Sequence, residues 1–241
     1  MSEGSHLSER PSTGGRVFFS GDDRLEGILE WPAVGPTIGG VVIAHPHPLY
    51  GGTMAQSVVH QIARACRRRQ LAALRFNFRG VGGSLGTYSG LDEYRDVEAA
   101  AAYLRGMLAD SEGGQESRTE TPALALAGFS FGSVMAAMAA TGAEPVRALA
   151  LVAFVFSWEG LPTDILTRLA GFRGPVLAIC GEEDGLAPPE EVEEVLTELK
   201  LDFRLSVMEA AGHLFEGRQR EVGEQVASFL RTSLAAGRPG M

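Results

Sequence analysis

Five short runs in this chain are apolar almost throughout: "GVVIAH" (40–45), "LAALRFNF" (71–78), "ALALAGF" (123–129), "LALVAFVF" (149–156) and "VLAIC" (176–180). A strand that shows one face to water alternates apolar with polar residues, whereas a strand covered on both faces need not. The segments between the runs instead repeat their apolar residues at steps of three and four. Tyr94, Val97, Ala101, Leu104 and Leu108 do so, as do Val192, Val195, Leu196 and Leu199, and later Val222, Val226, Phe229 and Leu230. "FRLSVM" (203–208) alternates, as a strand near a sheet edge does, and "RVFFS" and "RLEGILEW", joined by "GDDR", read as a hairpin. The pattern predicts an α/β fold: a mostly parallel sheet with an N-terminal hairpin and helices on both faces.

A chain of 241 residues, 45% of them hydrophobic, suits one domain, expected over residues 16–235. Residues 1–15 and 236–241 are expected to be disordered polar tails, and 110–121 a surface loop. The net charge of −9 argues against a nucleic acid or an anionic membrane as partner. The one basic run, "CRRRQ" (66–70), closes a helical pattern, where Arg complements the helix dipole. Cys66 lies in a helical stretch and Cys180 in the apolar run "VLAIC"; both read as small buried thiols in a reducing compartment. With no signal-peptide pattern and no apolar run of membrane-spanning length, a cytoplasmic location is expected.

Two serines stand in a Gly-x-Ser-x-Gly: Ser130 in "GFSFG" and Ser84 in "GGSLG". A serine hydroxyl becomes a nucleophile when it is exposed, has a base beside it and has donors aimed at the developing oxyanion. A sharp strand-to-helix turn supplies exposure and donors. Ser130 has that context, because residues 123–127 are strand-like and "FGSVMAAMAA" favours helix from Phe131 onward. Ser84 lies in a Gly-rich loop, with no helical pattern before about Leu91 and no P-loop lysine. Ser130 is the candidate nucleophile.

Of five histidines, His6 lies in the N-terminal tail and His60 in mid-helix. His213, in "MEAAGHLFEG", follows the last strand at the carboxyl edge of the sheet, where open α/β sheets bind ligands. It is the candidate general base. A carboxylate must hold its other nitrogen. "CGEEDG" offers Glu182, Glu183 and Asp184 after a buried strand; Asp184 is the first choice and Glu183 the second, with Glu159 the alternative one strand earlier.

"HPHPLYGGTM" (45–54) follows a central strand and leads into a helix. An oxyanion needs a backbone N–H from such a loop besides that of Phe131, and Pro46 and Pro48 carry none. His47 is favoured over Leu49 as the second donor. His45 and His47 could alternatively ligate a metal, but no further ligands stand at recognisable spacing, and a structural role for His45 is expected.

The order Ser130, Asp184, His213, with "GFSFG", "HPHPLYGG" and "RFNFRGVGGSLG", resembles the α/β-hydrolase superfamily, and within it the small bacterial branch related to dienelactone hydrolases. The resemblance spans roughly residues 24–234. It implies an eight-stranded sheet in a three-layer fold, a triad of Ser130, His213 and Asp184, and no cofactor. Dienelactone hydrolases proper carry Cys where this chain has Ser130. Only "WEGLPTDILTRLAGFRGP" separates the fourth and fifth apolar runs, which leaves room for one helix and no lid domain. The resulting open site is expected to be lined by Phe129, Phe131, Leu49, Tyr50, Trp158, Leu186 and Leu214. The expected function is that of a serine hydrolase cleaving small acyl esters. Alternatives with the same triad are a thioesterase, lactonase, peptidase or biosynthetic acyl transferase, and a different class is a non-catalytic binding protein on this scaffold.

Overall fold

The structure, a computed structural model, describes residues 14–111, 122–158 and 160–236. The expected tails apart from Gly14, Gly15 and Ala236, residues 112–121 of the expected loop, and the alternative acid Glu159 lie outside the described residues. Gly15, expected in the tail, opens a strand, and Asp110 and Ser111, expected in the loop, end a helix. The strands are β1 (Gly15–Ser20), β2 (Arg24–Glu30), β3 (Gly39–Ala44), β4 (Leu71–Phe76), β5 (Leu124–Phe129), β6 (Val146–Val152), β7 (Val176–Gly181) and β8 (Phe203–Met208). The helices are α1 (Ser57–Arg68), α2 (Tyr94–Ser111), α3 (Phe131–Ala139), α4 (Ile165–Leu169), α5 (Pro189–Glu198) and α6 (Gln219–Ala235), with a short 3-10 turn at Pro48–Tyr50.

All eight strands form one sheet in the order β1-β2-β4-β3-β5-β6-β7-β8. The β1–β2 hairpin and the β2–β4 pair are antiparallel, and every other pair is parallel. Every residue of β3, β4, β5 and β7 is buried, which is why their sequences lack alternation. The alternating β8 forms one edge. Helices α1 and α6 pack together, close enough that a Cβ at Gly223 would meet the carbonyl of Gln61 at 2.6 Å. Helices α2 and α3 pack together against β3, with α4 beside α3. The three-layer α/β-hydrolase fold expected from the sequence is the fold observed.

Three strands end earlier than their apolar runs, β3 by the single residue His45. The run 149–156 leaves the strand after Val152, because Ala153 takes a left-handed φ of 49°. The run 71–78 ends as β4 at Phe76, beyond which Asn77 and Phe78 bond to neighbouring loops. Helix α2 begins at Tyr94 rather than Leu91. Before it, Ser89 Oγ accepts from the amides of Leu91 and Asp92, and the Glu93 carboxylate accepts from the Ser89 amide, so residues 89–93 form a turn.

Strand order reverses at β3, whose two neighbours are β4 and β5. In open α/β sheets such a switch point leaves a crevice at the carboxyl ends of the strands. The loop beginning at His45 and the turn at Ser130 leave the sheet on either side of it. Between β6 and β7 the only helix among the described residues is the five-residue α4, so no lid domain covers that crevice.

Candidate active site

Ser130 joins β5 to α3 in a backbone conformation, φ 54° and ψ −121°, that a non-glycine residue rarely adopts. The glycines around it are sterically required. A Cβ at Gly128 would overlap the backbone of Gly132, and a Cβ at Gly132 would overlap the carbonyl oxygens of Ala44 and His45. The first turn of α3 is thus pressed against the end of β3, and Ser130 stands beside the loop that follows it.

His213 comes to Ser130 from the loop after β8. Its Nε2 lies 2.8 Å from Ser130 Oγ, and its Nδ1 lies 2.9 and 3.0 Å from the two carboxylate oxygens of Asp184. An ionised carboxylate only accepts, so Nδ1 carries the proton and Nε2 is left to accept from the serine hydroxyl. Asp184 is 2% exposed. Its Oδ1 also accepts from the amides of Leu186 (2.9 Å) and Ala187 (3.1 Å). Burial alone would push its carboxyl pKa up; the bonds from His213 and the two amides outweigh that and hold it below the ordinary value. Glu182 and Glu183 point to solvent, and the Glu182 carboxylate accepts from the Ala210 amide instead. Among the three neighbouring acids, only Asp184 reaches the imidazole.

Ser84 is used differently. Its Oγ donates to the Asn77 carbonyl at 2.7 Å and accepts from the Glu26 amide at 2.9 Å. It ties the Gly-rich loop to β2, and among the described residues no histidine bonds to it.

The His45 and His47 side chains are also engaged. His45 is fully buried, donates from Nδ1 to the Pro46 carbonyl (2.6 Å) and accepts at Nε2 from the Phe78 amide (3.1 Å). Burial lowers its pKa to about 4, against the pull of the Pro46 bond, so it is neutral. His47 Nδ1 accepts from the Leu49 amide, its Nε2 lies 2.8 Å from the Tyr88 hydroxyl, and burial lowers its pKa too. Among the described residues no group of three or more His, Cys, Asp or Glu side chains could hold a metal ion.

A cavity of about 460 Å³ opens over Ser130 and His213, a size suited to a small ligand. The loop after β3 supplies Pro46, His47, Tyr50 and the two glycines 51 and 52 to its wall; Trp158, Leu186 and Leu214 complete the apolar lining. Gln56, which sequence reasoning missed, also lines it; its Oε1 caps α1 by accepting from the Val58 amide.

Three expected lining residues lie elsewhere. Phe129, the last residue of β5, is fully buried and backs the His213 ring at 5.7 Å, because successive strand side chains point to opposite faces. The Phe131 ring is buried against His47 and Phe78. Leu49, on the 3-10 turn, is 72% exposed and forms no part of the cavity wall.

A larger hollow of about 830 Å³ lies along β8 and α6, away from Ser130, and among the described residues no histidine lines it.

Residues 39–236 match the family described as "Alpha/beta hydrolase domain". An uncharacterized protein of Rickettsia prowazekii is 25% identical over 231 residues, which cover 90% of this chain and 89% of that protein. A solved α/β serine hydrolase homologue from Coxiella burnetii is similar with a TM-score of 0.78 and 30% identity, over 92% of this chain and 100% of the other. A solved α/β serine hydrolase without a lid, from Xanthomonas campestris, gives 0.75 and 26%, over 96% and 98%. Eight strands in this order, the elbow at the switch point and these likenesses agree: the chain belongs to the α/β-hydrolase family and is a lidless member of it.

Proposed function

We propose that this hydrolase cleaves small acyl esters through an acyl-enzyme on Ser130. The observation that carries the reading is the unbroken line of hydrogen bonds from Ser130 Oγ through His213 to buried Asp184. His213 Nε2 takes the hydroxyl proton as Oγ attacks the ester carbonyl carbon. Asp184 stays ionised, fixes the tautomer and stabilises the imidazolium.

The negative charge that develops on the carbonyl oxygen is held by the amides of Phe131 and His47. Phe131 is the first residue of α3, where an amide has no partner within the helix. His47 lines the same cavity, and its amide makes no hydrogen bond among the described residues. The tetrahedral intermediate collapses, the alkoxide takes the proton from His213 Nε2, and the alcohol leaves. Water then gives a proton to His213 and its oxygen to the acyl carbon, and collapse releases the acid and restores Ser130 Oγ–H.

Intact mass after exposure to a fluorophosphonate tests the reading on the wild type, Ser130→Ala and Ser84→Ala. One adduct, lost only in Ser130→Ala, is the expected result. An adduct lost only in Ser84→Ala, or none on the folded wild type, overturns it.

A further inference from the structure

The walls on the two sides of Ser130 differ in chemistry. His213 must protonate the leaving oxygen, so the alcohol part of an ester lies over His213 and beside its neighbour Leu214, with Leu186 close to Asp184 in the chain. That side is aliphatic. The remaining wall belongs to the loop after β3 and to Trp158: beside Pro46, Gly51, Gly52 and Gln56 it carries the rings of His47, Tyr50 and Trp158. The Tyr50 and Trp158 rings are stacked, with centroids 5.5 Å apart and planes 25° apart, and the His47 ring lies 5.0 Å from the first and 5.5 Å from the second.

His47 holds this wall in place. Both its ring nitrogens are hydrogen-bonded, and its ring also packs on Tyr88 and Phe131. Tyr50 is nonetheless 74% exposed. A large aromatic side chain left open to water beside a cavity marks a surface that gains by being covered. The cavity lining among the described residues includes no Asp, Glu, Lys or Arg.

We infer that the acyl side of this site selects an uncharged acyl group ending in a flat aromatic ring, packed against Trp158 and Tyr50; the inference rests on Ser130 being the nucleophile. A π-face on the substrate adds offset or edge-to-face attraction to those rings that a saturated ring of the same carbon count lacks.

Ethyl 3-phenylpropanoate and ethyl 3-cyclohexylpropanoate share a leaving group, a linker and a carbon count, and neither ring is conjugated to the carbonyl. The wild type is expected to favour the phenyl ester about two- to tenfold in kcat/KM. Trp158→Leu is expected to abolish that preference, and Trp158→Phe to retain it. Equal or faster turnover of the cyclohexyl ester by the wild type, turnover of neither ester, or a preference that survives Trp158→Leu overturns the inference. Fluorophosphonate labelling at Ser130, run on the same preparations, separates the two readings and reports that each variant is folded. Labelled Ser130 without ring preference removes this inference alone, and unlabelled Ser130 in the folded wild type removes both.

Discussion

The side-chain carbonyl of Asn77 accepts a hydrogen bond from the Met54 amide at 2.9 Å, while Arg75, two residues earlier, donates to the Met54 carbonyl at 3.0 Å. The end of β4 therefore grips both polar groups of one residue in the loop that carries His47. Asn77 Nδ2 in turn donates to Glu26 at 2.9 Å, and Glu26 accepts from the Gly83 amide at 2.7 Å. Asn77→Ala leaves a buried amide and a buried carboxylate short of partners. We expect a loss of about 1–3 kcal/mol of stability, read by urea denaturation, together with slower labelling of Ser130 by the fluorophosphonate as the loop loosens.

Asp184→Asn tests the orientation of the imidazole. An asparagine oxygen still accepts from Leu186 and Ala187, but the NH2 that replaces Oδ2 donates toward Nδ1, which favours the wrong tautomer, and no negative charge remains to stabilise an imidazolium. Ester turnover should fall about 10³- to 10⁴-fold with the circular dichroism spectrum unchanged. A loss below tenfold in kcat would show that Asp184 is not the orienting acid.

His45 links stability to pH. The fold holds its pKa near 4, against 6.5 for an ordinary histidine. Between those values the unfolded chain binds a proton that the folded chain excludes, so stability falls as pH drops, by about 3 kcal/mol over the full window. The loss is absent above about pH 7. Urea denaturation at pH 7 and pH 4.5 should show a smaller decline for His45→Gln than for the wild type. Equal declines would place the titration elsewhere.

Gly132→Ala puts a methyl group against the Ala44 and His45 carbonyl oxygens, neither of which can move without displacing β3 or its loop. The cost should reach about 3 kcal/mol or more. Because α3 would be pushed away from the His47 loop, any protein that folds should react slowly with the fluorophosphonate. Wild-type stability and labelling rate would contradict the close approach.

Ser84→Ala separates structure from chemistry at the second Gly-x-Ser-x-Gly. It removes one donor and one acceptor from a buried pair of bonds, at a cost of about 1–3 kcal/mol in thermal or urea unfolding. Labelling of Ser130 should persist.

Local pattern carried far in this chain because the features it reports are local. Uniform apolarity in 40–45, 123–129 and 176–180 follows from burial on both faces, and the parallel sheet and its order of helices follow from that. The elbow was legible because strand, Gly128, Ser130, Gly132 and helix are contiguous. Where a run ended was less so: Val152 and Ala153 look alike in sequence, and only the backbone turn at Ala153 divides strand from loop.

What a side chain faces once the strand has ended is a tertiary matter. Glu182, Glu183 and Asp184 are chemically similar neighbours, and the choice among them rests on the loop path pinned by the Leu186 and Ala187 amides. Phe129 and Ser130 are adjacent, yet one backs the imidazole from within the core and the other meets it at the cavity. His47, Tyr88 and Trp158 come from three separated segments, and no sequence period links them. The chain's own pattern determined the order of strands and helices and the position of the elbow, because hydrogen-bond geometry and burial act residue by residue. The partners of Ser130 and the aromatic wall beside it were decided only when distant loops met at one edge of the sheet, where packing sets direction.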